Sequence, residues 1–198
     1  MASPSPRRPR AEWEQRILDS AAGTFGREGY GVSVNRLIAD SGAPVGTFYR
    51  LFPDKDALFV RLMADLHPGY LKRVMDVVGD VSDPADRLAR TVEAMVTIAV
   101  REFGDVARLY FTDVRGRGPA SSVARRVEDD ELELLARPIR EGVAAGVLTC
   151  DVPELAAIGI LGLTRKTVEA YVLGRTRPRI ARAAACAASM AVDGLRRR

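Results

Sequence analysis

The sequence predicts an all-α fold, and three features of the pattern indicate it. Apolar residues recur three and four positions apart, the spacing of an amphipathic helix, in most segments of the 198-residue chain. Serine, aspartate and proline stand where these segments begin, and glycine stands where they end, as expected at helix termini. The segment 33–52 contains two short patterns of this kind around a tight turn, which is typical of a helix-turn-helix.

The first helix is predicted over residues 12–28 and ends before Gly29. Its apolar face carries Trp13, Ile17, Ala21 and Phe25. Residues 1–10 form a basic leader rich in proline and serine, a composition that predicts disorder. The arginines of this leader suit an arm that contacts a nucleic acid, but a loose solvated tail explains them equally well.

The two helices of the helix-turn-helix follow. Ser33 supplies an N-cap hydroxyl for the first of them, and Gly42 takes the left-handed conformation that ends it. One stripe of that helix carries Val34, Leu37 and Ile38. The second helix opens at Pro44, because proline suits a first helical position.

The second of these helices is predicted to bury Phe48 and Phe52, which stand four residues apart. Its outward face then carries Val45, Gly46, Thr47, Tyr49 and Arg50. Such a face suits DNA, because glycine permits close approach, hydroxyl groups bond phosphates or base edges, and arginine adds positive charge. Helix-turn-helix shapes also occur in proteins that never contact DNA, so this pattern alone leaves both interpretations open.

A wider set of residues extends the pattern on both sides of the turn. It comprises Ile17, Leu18, Ala21, Ala22, Phe25, Gly29, Tyr30, residues 41–49, Phe52, Lys55 and Leu58. With these residues, positions 13–62 resemble the N-terminal domain of the TetR-type transcriptional regulators. The resemblance implies an all-helical homodimer whose third helix enters the major groove and whose larger C-terminal domain binds a small inducer and forms the dimer. The expected DNA-binding residues are Ser33, Asn35, Arg36, Pro44, Val45, Gly46, Thr47, Tyr49, Arg50 and Lys55, with Tyr49 and Lys55 at phosphate-contacting positions.

Three residues depart from the family pattern. Leu51 stands where histidine is common, and it removes one possible phosphate contact. Ile38 stands where alanine is usual, and Pro44 stands where a serine often caps the recognition helix. Base reading is therefore expected to depend on Thr47, on Arg50 and on DNA shape.

The next helix is predicted to start at Asp54 and to link the two domains. Lys55 in its first turn opposes the helix dipole, which suggests another use for the charge, contact with a DNA phosphate. The apolar pattern is interrupted at His67, Pro68 and Gly69, and proline inside a helix predicts a kink. Such a kink is a natural hinge through which an effector would tilt the DNA-binding domain. His67, the only histidine, either meets a ligand or simply precedes a structural kink.

Residues 57–198 are predicted to form a helical effector-binding and dimerisation domain, after a DNA-binding domain at residues 11–56. Methionines and aromatic residues of its helices are expected to line a largely apolar effector pocket. Stripes of such residues are more often simple core, and this alternative stays open. The expected pocket residues are Met63, Leu66, His67, Leu71, Met95, Phe103, Phe111, Leu134 and Arg165.

Two charged groups of this domain allow alternative interpretations. The acidic residues 128–131 could hold a cation, but adjacent residues spread around a helix, so a solvated face is preferred. Arg165 stands four residues before Glu169, and an ion pair within the helix explains it. If Arg165 instead faces the cavity, it would anchor an acidic inducer.

The closing helical pair is predicted over residues 153–174 and 178–195, and both helices carry many small residues. Small side chains let another backbone approach closely. The resemblance places a two-fold, four-helix dimer interface in this region. The expected contacts are Ala156, Gly159, Gly162, Ala184 and Ala188, and burial within one subunit is the alternative.

Composition argues against several other classes of protein. With one histidine and two cysteines outside metal-ligand spacing, no metal or cofactor is expected. The chain has no GxSxG, P-loop or dinucleotide glycine pattern, and nothing singles out a catalytic pair among its 26 acidic residues, so no enzyme activity is expected. No apolar run approaches a membrane span, and residues 1–10 lack the apolar core of a signal peptide, so a cytoplasmic location is expected.

The sequence therefore predicts a ligand-responsive transcriptional regulator. It is expected to be a homodimeric repressor that a small, largely apolar effector releases from a palindromic operator in double-stranded DNA. The net charge of +4 is compatible with a polyanionic partner but does not demand one. A helical dimer that binds a small molecule or protein without specific DNA recognition is the alternative, and a steep salt dependence of DNA binding would separate the two.

Overall fold

The computed structural model describes residues 9–111, 120–176 and 178–196. Within these ranges the chain forms nine α-helices and no strand, which confirms the predicted all-α fold. They are α1 (Arg10–Glu28), α2 (Val34–Ser41), α3 (Val45–Leu51), α4 (Lys55–Val78), α5 (Pro84–Arg101), α6 (Gly104–Leu109), α7 (Ala120–Ala144), α8 (Pro153–Val172) and α9 (Ile180–Asp193). Residues 1–8 of the predicted leader lie outside the described residues, and Arg10 already belongs to α1.

Helices α1 to α4 enclose one apolar core that is rich in aromatic rings. Its largest buried members are Ile17, Leu18, Phe25, Leu37, Phe48, Leu58, Phe59 and Leu62. The rings of Phe25 and Phe59 meet edge to face with centroids 5.8 Å apart, an arrangement that adds to the stabilisation from burial alone. This core holds the two short helices, which are too short to be stable in isolation, at a fixed angle.

The predicted helix ends are largely as expected. The Ser33 hydroxyl accepts a hydrogen bond from the backbone N–H of Arg36 at 3.2 Å, and Gly42 has a φ of 63°. Asp54 caps α4 by accepting from the N–H of Ala57. Pro44 is the exception, because it is the N-cap of α3 rather than the first helical residue.

Helix α4 continues without a break through the predicted interruption. It spans 24 residues with Pro68 inside it, and it ends where Gly79 takes a φ of 61°. The predicted domain boundary at residues 56 and 57 falls in the first turn of this helix. The division into two domains and the hinge at Pro68 therefore stay predictions.

The C-terminal part is built around α5. This helix packs against α4, α7, α8 and α9, and its buried residues include Leu88, Val92, Met95 and Val96. Alanines of α9 face α5, because their small side chains let the two helices lie close together. No helix in the described ranges combines the length and apolar character that a membrane span needs.

Helix α6 joins the two parts of the molecule. Its Leu109 is buried in the N-terminal core, and Arg108 Nη2 donates a 2.8 Å hydrogen bond to the carbonyl of Gly26 in α1. A Cβ atom at Gly26 would lie 2.6 Å from the Cβ of Asp105, which is closer than real Cβ contacts. Glycine at this position therefore permits α6 to lie directly against α1.

Candidate DNA interface and effector cavity

The surface predicted to contact DNA is the outward face of α3. Phe48 is completely buried beneath it, whereas Val45 is 59% and Tyr49 46% exposed. Arg50 is exposed as well, Thr47 is half-buried, and Gly46 borders open space. The predicted inward and outward sides of this helix are therefore as expected, and contact with DNA stays a prediction.

The turn between α2 and α3 is fixed by hydrogen bonds that the sequence pattern does not reveal. Arg16 Nε in α1 donates to the carbonyl of Ser41 at 2.8 Å. The Ser41 hydroxyl donates to the carbonyl of Ile38 at 2.8 Å and accepts from the N–H of Ala43 at 3.2 Å. These bonds satisfy backbone groups at the end of α2, so they set the direction in which α3 leaves the turn.

The two predicted DNA-binding residues on α2 lie on its exposed side, but one of them already pairs with carboxylates. Asn35 and Arg36 are both exposed. The Arg36 guanidinium lies 3.1 Å from Glu28 and 3.3 Å from Asp40. Asp40 also accepts a hydrogen bond from the buried Thr24 hydroxyl at 2.8 Å. Arg36 would therefore have to share or release these carboxylates in order to contact a phosphate.

The structure provides another reason for the position of Lys55. Its ammonium donates to the carbonyls of Tyr30 and Val32 at 2.6 and 3.1 Å, and it lies 4.6 Å from the centroid of the Tyr30 ring. Lys55 thus ties the loop between α1 and α2 to the start of α4. These bonds use two of the three donors of the ammonium group, and contact with a DNA phosphate stays a prediction.

A cavity of about 100 Å³ lies among α4, α5, α6, α7 and α8. Of the nine predicted pocket residues, seven line it: Met63, Leu66, His67, Met95, Phe103, Phe111 and Arg165. Leu71 does not line it, and Leu134 packs instead against the C-terminal core. Those two predictions are corrected, because the side of a helix that faces a cavity depends on neighbours distant in sequence. The wall also includes Tyr70, Val106, Ala107, Tyr110, Glu131 and Thr164, which were not among the nine predicted pocket residues.

One end of the cavity is polar. Arg165 Nε donates to Glu131 Oε2 at 2.9 Å, and Nη2 lies 2.7 Å from the same oxygen without hydrogen-bond alignment. Nη1 donates to Glu128 at 2.9 Å. The predicted pair between Arg165 and Glu169 is therefore wrong, since Glu169 instead pairs with Lys166 and Arg175.

Glu131 is the buried member of the acidic residues 128–131. It is only 8% exposed, so the predicted solvated face is wrong for this position. Burial raises the pKa of the Glu131 carboxyl, and the positive charge of Arg165 opposes that rise. In the described part of the chain, no three His, Cys, Asp or Glu side chains come together as a metal site would require.

His67 lies beside this polar end. Its Nε2 is 3.2 Å from Asp130 Oδ2, without hydrogen-bond alignment, and its side chain is nearly buried. Burial lowers the pKa of the imidazole, and the neighbouring Asp130 carboxylate opposes this. The His67 ring packs at a tilt beside the ring of Tyr70. The Tyr70 hydroxyl donates to the carbonyl of Met95 at 3.4 Å.

Of the predicted dimer contacts, some are exposed in the structure and others are buried. Gly159 and Gly162 of α8 are exposed and border open space, next to Leu155 and Ile158, which are 64% and 53% exposed. Ala156 is half-buried. By contrast, Ala184 and Ala188 of α9 are buried within the protomer, so their assignment to an interface is corrected. Both belong to apolar clusters that include residues of α5.

A helix-turn-helix on an aromatic core, followed by helices around a largely apolar cavity, is the arrangement expected of ligand-responsive DNA-binding regulators. Residues 17–62 match the family described as bacterial regulatory proteins of the tetR family, and residues 81–172 match the tetracyclin repressor-like C-terminal domain. The chain belongs to the TetR family of transcriptional regulators. The predicted family is confirmed.

Individual relatives agree with this assignment. The HTH-type transcriptional regulator LmrA of Bacillus subtilis is 31% identical over 74 residues, which cover 36% of this chain and 39% of LmrA. FadR of Bacillus subtilis, solved in complex with stearoyl-CoA, superposes with a TM-score of 0.80 at 17% identity over 91% of this chain and 98% of FadR. A putative TetR-family regulator from Syntrophomonas wolfei gives a TM-score of 0.76 at 22% identity, over 93% and 97% of the two chains. At these identities the two superpositions show a shared fold.

Proposed function

We propose that the protein is a homodimeric repressor that a small, largely apolar effector releases from a palindromic operator. One observation carries this proposal: the same two helices line the cavity and support the DNA-binding core. Met63 and Leu66 of α4 contact both, and α6 lines the cavity with Val106 and Ala107 while Leu109 belongs to the N-terminal core. A ligand that moved either helix would therefore move the base on which α3 is held.

The outward face of α3 supports recognition of DNA. Its exposed residues can reach base edges and phosphates, and Arg16 and Ser41 fix the direction of the helix. A recognition helix fixed in this way loses little conformational freedom when it binds in the major groove.

The exposed apolar residues of α8 support a homodimer. Leu155, Ile158 and, on α9, Met190 are large and more than half exposed, which is costly for a surface that stays in water. The two exposed glycines of α8 permit close approach of a second copy. A two-fold axis there would present two α3 helices to successive major grooves, about 34 Å apart.

The nature of the cavity supports an apolar effector. Its wall is mostly aliphatic and aromatic, and its fold relative FadR binds stearoyl-CoA, a ligand with a long apolar chain. Release then follows from a population shift: the effector favours a conformer in which the two α3 helices no longer match the groove spacing. Pro68 in α4 is the proposed hinge, and a Pro68→Ala variant is expected to respond less to effector.

The test is fluorescence anisotropy of the protein on DNA that flanks its own coding sequence, with salt and unrelated competitor DNA as variables. A complex that survives competitor and weakens steeply with salt is the expected result. Tyr49→Phe is expected to weaken binding to every sequence, whereas Thr47→Ala should also alter sequence preference. If both variants bind like the parent protein, α3 does not read DNA, and a helical dimer without specific DNA recognition becomes the better assignment.

A further inference from the structure

The charged groups in and around the polar end of the effector cavity are more negative than positive. All three guanidinium nitrogens of Arg165 lie within 2.9 Å of a carboxylate oxygen of Glu131 or Glu128. Asp130 adds a third carboxylate beside His67. Burial keeps the imidazole of His67 neutral near pH 7 by lowering its pKa. Arg165 therefore meets two carboxylates, of which only Glu131 lines the cavity, and the third lies beside His67.

This balance disfavours an anionic ligand. An acidic effector would have to take the place of the half-exposed Glu128 at Nη1 of Arg165, or that of Glu131 at Nε and Nη2. The second exchange would leave the buried Glu131 carboxylate without its counter-charge. Removing one partner from a buried ion pair is strongly unfavourable, because the remaining charge is not solvated. Arg165 lines the cavity, as the hypothesis of an acidic inducer requires, but its charge is already matched.

Two other features of the wall suit a positively charged group. Both short contacts between Arg165 and Glu131 end on Oε2, so Oε1 takes part in neither of them. Four aromatic rings also line the cavity, those of Tyr70, Phe103, Tyr110 and Phe111. The faces of aromatic rings attract cations, and the attraction is larger where water is excluded.

We propose that the effector is a lipophilic cation, an apolar body with one protonated amine, whose ammonium group pairs with Glu131. The apolar body lies against the aliphatic part of the wall, which includes Met63, Leu66 and Val106. The proposal rests on the proposed function, because it takes this cavity as the effector site. The proposed cation differs from an acyl ligand in the sign of the charge that it would bring to the polar end of the cavity.

The test compares three ligands with the same apolar chain and different head groups. Octylamine, octanoate and octanol are titrated into the full-length, DNA-free protein at pH 7 by isothermal titration calorimetry, below the concentrations at which they aggregate. Octylamine is expected to bind about tenfold more tightly than octanoate, with octanol between them. Octanol probes the unaligned Nη2 of Arg165, since its oxygen can accept a hydrogen bond from it. Octanoate or octanol binding as tightly as octylamine would overturn the proposal, and so would absence of octylamine binding.

A pair of variants on α7 assigns the preference to one carboxylate. Glu131→Gln keeps the shape of the side chain and removes its charge, so the preference for octylamine over octanoate should disappear. Glu133→Gln is the control, because Glu133 is exposed and pairs with Arg140 away from the cavity. An unchanged preference in Glu131→Gln would also overturn the proposal. If Glu131→Gln does not fold, the comparison of ligands on the parent protein still decides.

The calorimetric result is independent of DNA. If octylamine binds as expected but does not release the protein from its operator, the cation site stands and the effector role in the proposed function fails. If the protein binds its operator but shows no preference for octylamine, the proposed DNA recognition stands and the cation site fails. The two failures are therefore distinguishable.

Discussion

In the DNA-binding helices the charged groups lie at the surface above an interior of aromatic and aliphatic side chains, whereas the effector cavity contains a buried carboxylate and a largely buried guanidinium. The first arrangement is held by packing and by backbone hydrogen bonds, neither of which depends on a second ionised group. The second depends on each charge keeping its partner. Substitutions in the two regions should therefore destabilise the protein in different ways. In the DNA-binding helices they remove buried side-chain volume, and in the cavity they leave a buried charge without its partner.

The largest effect is expected for Phe48→Ala in α3. The ring is completely buried, and its removal leaves a cavity that the neighbouring helices cannot close. The free energy of unfolding should fall by about 4 kcal/mol, measured by chemical denaturation. Val45→Ala in the same helix is the control, because Val45 is exposed and its loss should change stability by less than about 0.5 kcal/mol. Equal losses in the two variants would show that α3 is not packed as described.

The second effect concerns the buried ion pair of the cavity. Arg165→Met removes the positive charge and leaves Glu131 buried without it, so the free energy of unfolding should fall by about 3 kcal/mol at pH 7. Adding Glu131→Leu to the same protein should restore most of that loss, because no buried charge then remains. Additive losses in the double variant, measured by the same denaturation experiment, would show that the pair is not coupled.

Lys55→Met distinguishes two roles for one ammonium group. Loss of its hydrogen bonds to the carbonyls of Tyr30 and Val32 should lower the free energy of unfolding by about 2 kcal/mol. If Lys55 also contacts a phosphate, the slope of log affinity for DNA against log salt concentration should become shallower by about one. Lys72→Met on the same helix is the control, since Lys72 is exposed and pairs only with Asp76 among the described residues. A loss of stability with unchanged salt dependence would limit Lys55 to its structural role.

The smallest effect is expected at His67. Its pKa is lowered in the folded protein, so the unfolded chain binds a proton more readily, and stability is lost as the pH falls below the ordinary histidine pKa of about 6.5. Asp130 and Arg165 face the ring with opposite effects on that pKa, and Tyr70 packs beside it. When the pH falls from 7.5 to 5.5, the midpoint temperature of thermal unfolding should drop slightly more for the parent protein than for His67→Gln. An identical shift in both proteins would show that His67 does not carry the effect.

Local signals in the sequence predicted the DNA-binding helices well. The cap at Ser33 and the turn at Gly42 depend on residues within a few positions, and the burial of Phe48 follows from helical spacing. Arg16 and Lys55 were missed as structural residues, because their partners are backbone carbonyls about 25 positions away that leave no mark on the sequence.

The cavity was predicted less well, and for a physical reason. Arg165 and Glu131 are 34 positions apart, so spacing favoured the nearer Glu169 as the partner. In α9 nearly every face carries alanine, and an alanine-rich helix has no apolar stripe that tells which side is buried. Ala184 and Ala188 were assigned to an interface because of their small side chains and the family resemblance, whereas α5 covers them.

The close approach of α1 and α6 at Gly26 has a consequence for the engineering of hybrid regulators. The glycine lies within the segment that matches the N-terminal family domain, but the side chain that requires it, Asp105, lies far along the chain in the C-terminal domain. A chimera that exchanged DNA-binding domains within α4 would combine α1 from one parent with α6 from another. If the donor had any larger residue at this position, the two halves could not dock as they do here. A donor that keeps glycine at this position would avoid that clash.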